Sequence, residues 1–466
     1  MAADRWRPAL AGPWQAADLE AVAASALRLL EEIGVDCRHP AARQRLEEWG
    51  AVATGDRVRF PAARVRRHLE QVVRVGEPAG TEPEFALGGC WACLFYCDPE
   101  TQQVRPAASA EAAQMARLWD ARGLSGVVPL VPGDVPPALV TLAAERLALR
   151  NSRGLGGGLT ATDPEEIRVL RDMNLAAGRR YRLMTQVGIS PLKLNAEALE
   201  AGLQFLGDPG VEVSLAGAIP MAGATCPLDP RAAVAQSLAE ELALDVLKVA
   251  LGQPGGGLGL RVEPFDFQYA TIVFGSPEWC LYRALVLQLL LHLTGRPVRQ
   301  GSFRSTAKQP DEQAAAERAA SALWQALLGV RRFGAVGQLS VDEVFSPQQA
   351  VLDREILRYV ARVARGLDAG PGGDPVTLVR AGVEAGSFAG LPETAEGFRE
   401  IYDFPDIFRH WNAGRWRSEG GRSVLEEAWS RARAEIGAST YHLEPDAARR
   451  VEEAYRCGAE HLRGRS

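Results

Sequence analysis

The chain has 466 residues, 47% of them hydrophobic, with 52 Lys+Arg against 58 Asp+Glu for a net charge of −6. This is the composition of a globular protein of two or three domains, or of one large α/β barrel with additions, and it excludes a disulfide-stapled miniature fold. The slight acidity, without any run of Lys or Arg, argues against nucleic-acid phosphates or an anionic membrane surface as the main partner.

Residues 1–75 read as a helical N-terminal region. Residues 1–10 lack the apolar segment of a secretory signal. Leu19, Val22, Leu27, Leu30 and Ile33 recur at helical spacing and Gly34 follows as a stop. A second helix is expected over 41–49, a short strand over 57–60, and a third helix after Pro61. Residues 76–108 form a hairpin-like connection, with Asp98-Pro99-Glu100-Thr101 as the turn between apolar runs.

From 109 to 390 strand and helix signals alternate. Short apolar, Gly-rich or β-branched runs stand at 127–131, 154–160, 183–189, 211–219, 257–262, 298–303 and 333–338. Helix starts are marked by a capping residue followed by proline: Asp163-Pro164, Asp229-Pro230, Ser276-Pro277 and Ser346-Pro347. Seven consecutive strand-then-helix units predict an α/β fold, and without a nucleotide fingerprint they favour a (β/α)₈ TIM barrel over an open doubly wound sheet, which stays open. Its eighth strand is expected either at 376–379 or within the hairpin region. Residues 391–466 read as a C-terminal helical region, with amphipathic helices at 423–436 and 445–462.

Several motifs favour structure over chemistry. Cys90, Cys93 and Cys97 lie close in sequence but lack a second pair or a nearby histidine, so they read as structural thiols and no metal site is expected. The seven scattered cysteines suit a reducing compartment. The glycine runs at 154–158 and 255–259 lack GxGxxG spacing and read as tight packing in strands. The apolar stretch 280–293 is interrupted by Arg283, Gln288 and His292 and is too short to cross a bilayer, so the expected location is cytoplasmic. Only three residues are lysine, and Lys308 alone falls at the expected barrel mouth.

Barrel enzymes build their sites after the strands' C-terminal ends. There the chain carries Pro132-Gly133-Asp134, the small-residue loop 220–227, the acidic and aromatic run Glu263-Pro264-Phe265-Asp266-Phe267-Gln268-Tyr269, the polar loop 304–313, and 338–343. Carboxylates mixed with aromatic rings suit a small organic cation.

These loops, together with Leu30-Glu31-Glu32-Ile33-Gly34-Val35, Val58-Arg59-Phe60, Ile189-Ser190-Pro191-Leu192, Ala307-Lys308 with Asp311 and Gln313, and 346–353, resemble the trimethylamine methyltransferase family in its broad sense, which includes corrinoid-dependent glycine betaine methyltransferases. The resemblance implies a barrel that moves a methyl group from a methylated amine to the cobalt of a separate corrinoid (cobalamin) protein. Trimethylamine-specific members carry pyrrolysine and this chain has no nonstandard residue, so the betaine enzymes are the nearer guide. On this reading Phe265, Phe267, Tyr269 and Trp411 would cage the cation. Glu263, Asp266 and Asp342 would complement its charge, Arg304 or Lys308 would take a substrate carboxylate, and Gln338 would join them. Gly223, Ala224 and Thr225 would let the flat cofactor approach. Two alternatives stay open: a barrel methyltransferase or lyase acting on an anionic small molecule, and a non-catalytic barrel that binds a corrinoid protein. A homo-oligomer is also open.

Overall fold

The computed structural model describes residues 5, 6, 10, 12–75, 84–368 and 374–463. The N-terminal region begins with the helix Ala16–Arg28, whose Leu19, Val22, Ala26 and Leu27 are buried on one side, and it ends in a wider turn, Leu29–Ile33, stopped by Gly34 at φ 70°. The expected short strand is Arg57–Arg59 and the helix after Pro61 is Ala62–Val75. This region does not stand alone. Val35–Cys37 pairs in parallel with Lys193–Leu194, and the helix Ala16–Arg28 shares a hydrophobic cluster with the long helix Pro230–Ala250. The polar residues that break the apolar helix Pro277–Thr294 explain themselves here. Gln288 exchanges hydrogen bonds with the backbone of Trp14, and His292 meets Glu20 at 2.8 Å.

Parallel strands form the centre. Arg332–Gly334 pairs with Gln300–Ser302 on one side and with Ala86–Leu87 on the other. The chain leaving Ala86–Leu87 bridges Cys93 to Leu130, and the 126–130 segment bridges Gly126 to Leu155. The Gly158 N–H then donates to the Arg182 carbonyl, Tyr181–Gln186 pairs along its whole length with Val211–Ala216, and Met221–Ala222 pairs with Glu263–Asp266. Where Glu263–Asp266 and Gln300–Ser302 would meet, the Arg283 guanidinium spans the carbonyls of Leu260 and Gln300. A helix follows every one of these eight segments: Ser109–Ala121, Val140–Asn151, Pro164–Ala176, Ala196–Gln204, Pro230–Ala250, Pro277–Thr294, Glu312–Leu327 and Pro347–Arg365. The architecture is therefore mixed α/β, with a helix after each of eight segments, of which the two around 126–130 and Leu155 form only isolated bridges. The capping signals work as read: the side chains of Asp163, Asp229, Ser276 and Ser346 each accept a backbone N–H from the first turn.

The sequence placed one strand at either of two sites, and the structure chooses between them. Residues 376–379 belong to the helix Pro375–Ala385, begun by Asp374 capping Val376 and Thr377, whereas Ala86–Leu87 from the hairpin region joins the parallel set. The hairpin itself is shorter than expected, Phe95–Cys97 against Val104–Pro106, its turn held by Asp98 accepting from Glu100 and Thr101. Residues 76–83 of the expected connection lie outside the described residues. The C-terminal amphipathic helices are Val424–Ala438 and Pro445–Arg463. The first buries Ala428 and Ala432 in a cluster with Val351 and Leu352, and the second packs Val451, Ala459 and Leu462 against Ile167 and Leu170.

Glycine at 154–158 answers a packing need. Gly156, Gly157 and Gly158 all have positive φ, and a Cβ on Gly157 would lie 2.7 Å from Arg182 atoms of the adjacent strand. Carboxylates from surrounding helices hold such loops. Glu145 accepts from Gly157 N, Asp245 from Gly256 N, Glu241 from Gly259 N and Asp353 from Gly337 N.

Candidate functional site

A polar cluster gathers around Glu263, the first residue of the strand Glu263–Asp266, with Arg304 and Gln338 past the ends of Gln300–Ser302 and Arg332–Gly334. Its side chain is buried and accepts a 2.6 Å hydrogen bond from the Trp279 indole, and the Arg261, Arg304 and Arg283 guanidiniums lie within electrostatic reach. Burial pushes the Glu263 carboxyl above its usual range, while the three arginines and the indole pull the other way. Arg304, just past Gln300–Ser302, stacks over Phe274 at 4.6 Å and faces both Glu263 and Asp342; burial draws its pKa down. Burial likewise brings Arg283 down to about 10, with Glu263 opposing.

The next strand ends complete a wall. Gln338 is fully buried, its amide nitrogen donating to the Trp91 carbonyl at 3.0 Å and reaching Cys93 Sγ at 3.5 Å, while its Oε1 has no partner among the described residues. The buried Cys93 thiol is pushed up to about 12. Cys97, by contrast, packs in a separate cluster with Ala307 and Leu339, away from Cys90 and Cys93, which share one cluster. Below this wall Arg318 and Asp353 form a completely buried ion pair at 2.8 Å, and Asp353 also holds Gly337 N and the Gln349 amide. Glu317 binds Ser305 Oγ and Thr306 N, which fixes the loop that carries Arg304.

The remaining expected residues fall in different places. Phe265 and Phe267 contact edge to face at 5.2 Å on a small hairpin, Glu263–Asp266 against Thr271–Ile272. Asp266 is occupied in that turn, accepting from Gln268 N and Tyr269 N, and Phe267 and Tyr269 are 66% and 72% exposed, a rim and not an enclosed cage. The loop at Gly223–Thr225 is a tight turn whose Gly223, Ala224 and Thr225 N–H groups all bond within the loop. Gly223 has φ +84°, and a Cβ there would meet the Phe267 ring at 2.9 Å, so glycine is required by that close approach. Lys308 is exposed, and Asp311 beside it caps the helix Glu312–Leu327 through Ala314 N. Trp411 lies in the C-terminal region with Arg409 over its ring at 4.5 Å, and no hydrogen bond or ring contact among the described residues joins it to the Glu263 cluster.

The structure therefore brings together Glu263, Arg304, Gln338 and Asp342, and adds Arg261, Arg283, Trp279, Phe274 and Cys93, which reasoning from the mouth loops missed. One signal was available: Arg283 is the one Asp, Glu, Lys or Arg in the apolar stretch 280–293, and a charge on such a helix calls for an acceptor. Three guanidiniums against two carboxylates leave this cluster net positive, suited to a carboxylate ligand. The Phe265–Phe267 rim offers ring faces and edges to a methylated ammonium group.

The sequence profile described as trimethylamine methyltransferase (MTTB) matches residues 7–89 and 167–455. Among curated proteins the chain is 28% identical over 247 residues to trimethylamine methyltransferase MttB2 of Methanosarcina mazei, a match covering 51% of this chain and 48% of that protein. It is 29% identical over 248 residues to trimethylamine methyltransferase MttB of Methanosarcina barkeri, with the same coverage. The chain thus spans about half the length of the curated relatives it matches. Among solved structures, the monomethylamine methyltransferase MtmB of Methanosarcina barkeri aligns with a TM-score of 0.49 at 11% identity, over 91% of this chain and 87% of that one. With its profile matched from the N-terminal helices to the last C-terminal helix, the chain belongs to the trimethylamine methyltransferase family.

Proposed function

We propose that the protein is a methyltransferase that takes a methyl group from a betaine-like methylated amine, one carrying a carboxylate, and passes it to the cobalt of a corrinoid protein. Family membership supports the reaction class. The observation that carries the substrate class is the net positive cluster formed by Arg261, Arg283 and Arg304 around Glu263 and Asp342. A plain trimethylammonium ion has no use for it. The eight segments and their helices are taken to close as a (β/α)₈ barrel over residues 86–365, with Arg283 stitching the last step.

On this reading Arg304 receives the substrate carboxylate, its plane already fixed by Phe274. Gln338 Oε1, buried and unpartnered, is a fixed dipole aimed at the positive end of a ligand. Phe265, Phe267 and Tyr269 replace the water around the methyl groups. A quaternary nitrogen leaves as a neutral amine, so no group on this chain has to supply a proton. The reduced corrinoid, when its carrier protein docks, supplies the nucleophile that accepts the methyl group. The loop Gly223–Thr225 with Phe267 above it offers a low surface beside the mouth, but its N–H groups are already spent, so it would contribute shape and not hydrogen bonds.

The test is to incubate the protein with cob(I)alamin and a panel of glycine betaine, longer carboxylated betaines, choline and trimethylamine, following methylcobalamin absorbance. Carboxylated amines alone should be demethylated, and Arg304→Ala should lower kcat/KM about 100-fold or more. Turnover of choline and trimethylamine equal to that of the betaines would overturn the substrate class. Tight binding of a corrinoid protein with no methyl transfer from any amine would overturn the enzyme.

A further inference from the structure

A cavity lies at the beginnings of the parallel strands, at the end away from Arg304 and Gln338. Its volume is about 910 Å³, within the ordinary range for small-molecule sites, and its walls are the strand beginnings at 85–89, 122–125, 300–301 and 332–334, closed by the helices Pro347–Arg365 and Val424–Ala438. Its floor is mostly backbone. Gly88, Gly89, Gly301 and Gly334 stand where the strands start, and a Cβ on Gly89 would meet the Ser125 carbonyl at 2.4 Å. Phe85, Leu87 and Leu357 give it an apolar side.

The charged lining is lopsided. Arg122, Arg332 and Arg354 face a single acid, Glu435, which leaves two positive charges in a chain whose total is −6. The Arg122 side chain is only 7% exposed; its Nε donates to Glu435 at 2.6 Å and one terminal nitrogen to the Ala350 carbonyl. Its other terminal nitrogen, Nη2, has no partner, and neither does Nη2 of Arg354, whose Nη1 reaches the same Glu435 at 3.4 Å. Glu435 thus fixes two guanidiniums side by side, each with a spare donor. Both residues line the cavity, and buried donors are normally satisfied, so these two unfilled ones call for an acceptor that is not part of the protein.

We propose that this cavity is a binding site for a phosphate monoester of nucleotide size, its dianionic phosphate accepted by Nη2 of Arg122 and Arg354 with Arg332 at the rim, and its organic part resting on Phe85, Leu87 and Leu357. Two excess positive charges match a dianion, and forked guanidiniums suit phosphate oxygens. The site lies at the end away from Arg304 and Gln338 and stands apart from the methyl-transfer reading, so its ligand is an effector or second substrate and not the methylated amine.

Titration calorimetry with inorganic phosphate and adenosine monophosphate, at constant ionic strength in chloride, tests it, with succinate as the carboxylate arm. Adenosine monophosphate should bind at micromolar to millimolar concentration, phosphate more weakly, and succinate more weakly still. Arg332→Gln and Arg354→Gln, both at partly exposed side chains, should each weaken nucleotide binding about tenfold, and Arg122→Gln more. Should Arg122→Gln fail to fold, the other two variants decide. No heat with either phosphate compound, affinity unchanged in Arg332→Gln and Arg354→Gln, or succinate binding as tightly as the nucleotide would each overturn the proposal.

Discussion

The strand-then-helix body and the helices between residues 375 and 418 handle polarity in opposite ways. In the body, charged groups go inside: Glu145, Glu240, Glu241, Asp245, Arg318, Asp353 and Glu355 are all buried, and most of the acids accept a backbone N–H from a loop. Around Pro375–Ala385, Pro392–Ile401 and Ala413–Ser418 most large apolar residues stay outside: Val376, Val379, Val383, Phe388 and Tyr402 are each more than half exposed, while Ile407, between the last two, is buried against the body. The body spends desolvation energy to hold the backbone of its loops. The outer helices fix nothing of that kind. Buried charge here marks where loop geometry matters, because a carboxylate is retained in a core only where it holds something in place.

The strongest way to break that contrast is Asp353→Ala. It strands the Arg318 guanidinium, whose side chain is 0% exposed, and removes the acceptor of Gly337 N beside Gln338. A loss of about 3–5 kcal/mol is expected in denaturant unfolding, since an uncompensated buried charge is left behind. Loss below about 1 kcal/mol would show the pair to be ornamental. Next comes Glu145→Ala, which leaves Gly157 N and the Asn174 amide without their acceptor; about 2 kcal/mol should be lost for these buried donors.

Glu263→Gln sharpens the comparison through pH. Burial raises the folded-state pKa of Glu263 above the ordinary 4.5, so the folded protein holds a proton there that the unfolded chain releases. Its contribution to stability is then complete below 4.5 and is lost as pH rises through the raised folded value. The wild type should therefore lose stability across that window, on the order of 1 kcal/mol and visible as a falling Tm, where Glu263→Gln does not. A wild-type Tm that rises with pH where that of Glu263→Gln does not would mean that the arginines, not burial, dominate Glu263.

How far the sequence carried these conclusions differs by element. The helix starts at Asp163, Asp229, Ser276 and Ser346 were legible because a cap followed by proline is a local signal, read within one turn. The strand Ala86–Leu87 was not, because two residues beside glycines carry no periodicity and become a strand only by meeting Phe333 across the sheet. Glu263, Arg304 and Asp342 were picked by position after expected strands, and Arg304 does face the other two. Arg261 and Arg283 were missed because one lies within a strand approach and the other on the following helix, and only packing turns both toward Glu263. Trp411 was chosen for its ring. Its surroundings, Arg409 and Arg415 of its own segment, depend on how the C-terminal chain folds back, which no local pattern encodes.

The smallest effect tests the other half of the contrast. Val383 is 70% exposed on Pro375–Ala385, a helix in which Gly382 is the one buried residue among those described. Val383→Ser removes apolar surface that folding does not cover, so the stability of the chain should change by no more than about 0.5 kcal/mol. The measurement is made at two protein concentrations, because a face covered by a second copy would couple stability to association. If Val383→Ser lowers Tm by several degrees, and more so at high concentration than at low, then these helices are buried in solution and obey the same rule as the body. An unchanged Tm at both concentrations leaves the body as the part of the molecule whose polar interior sets its stability.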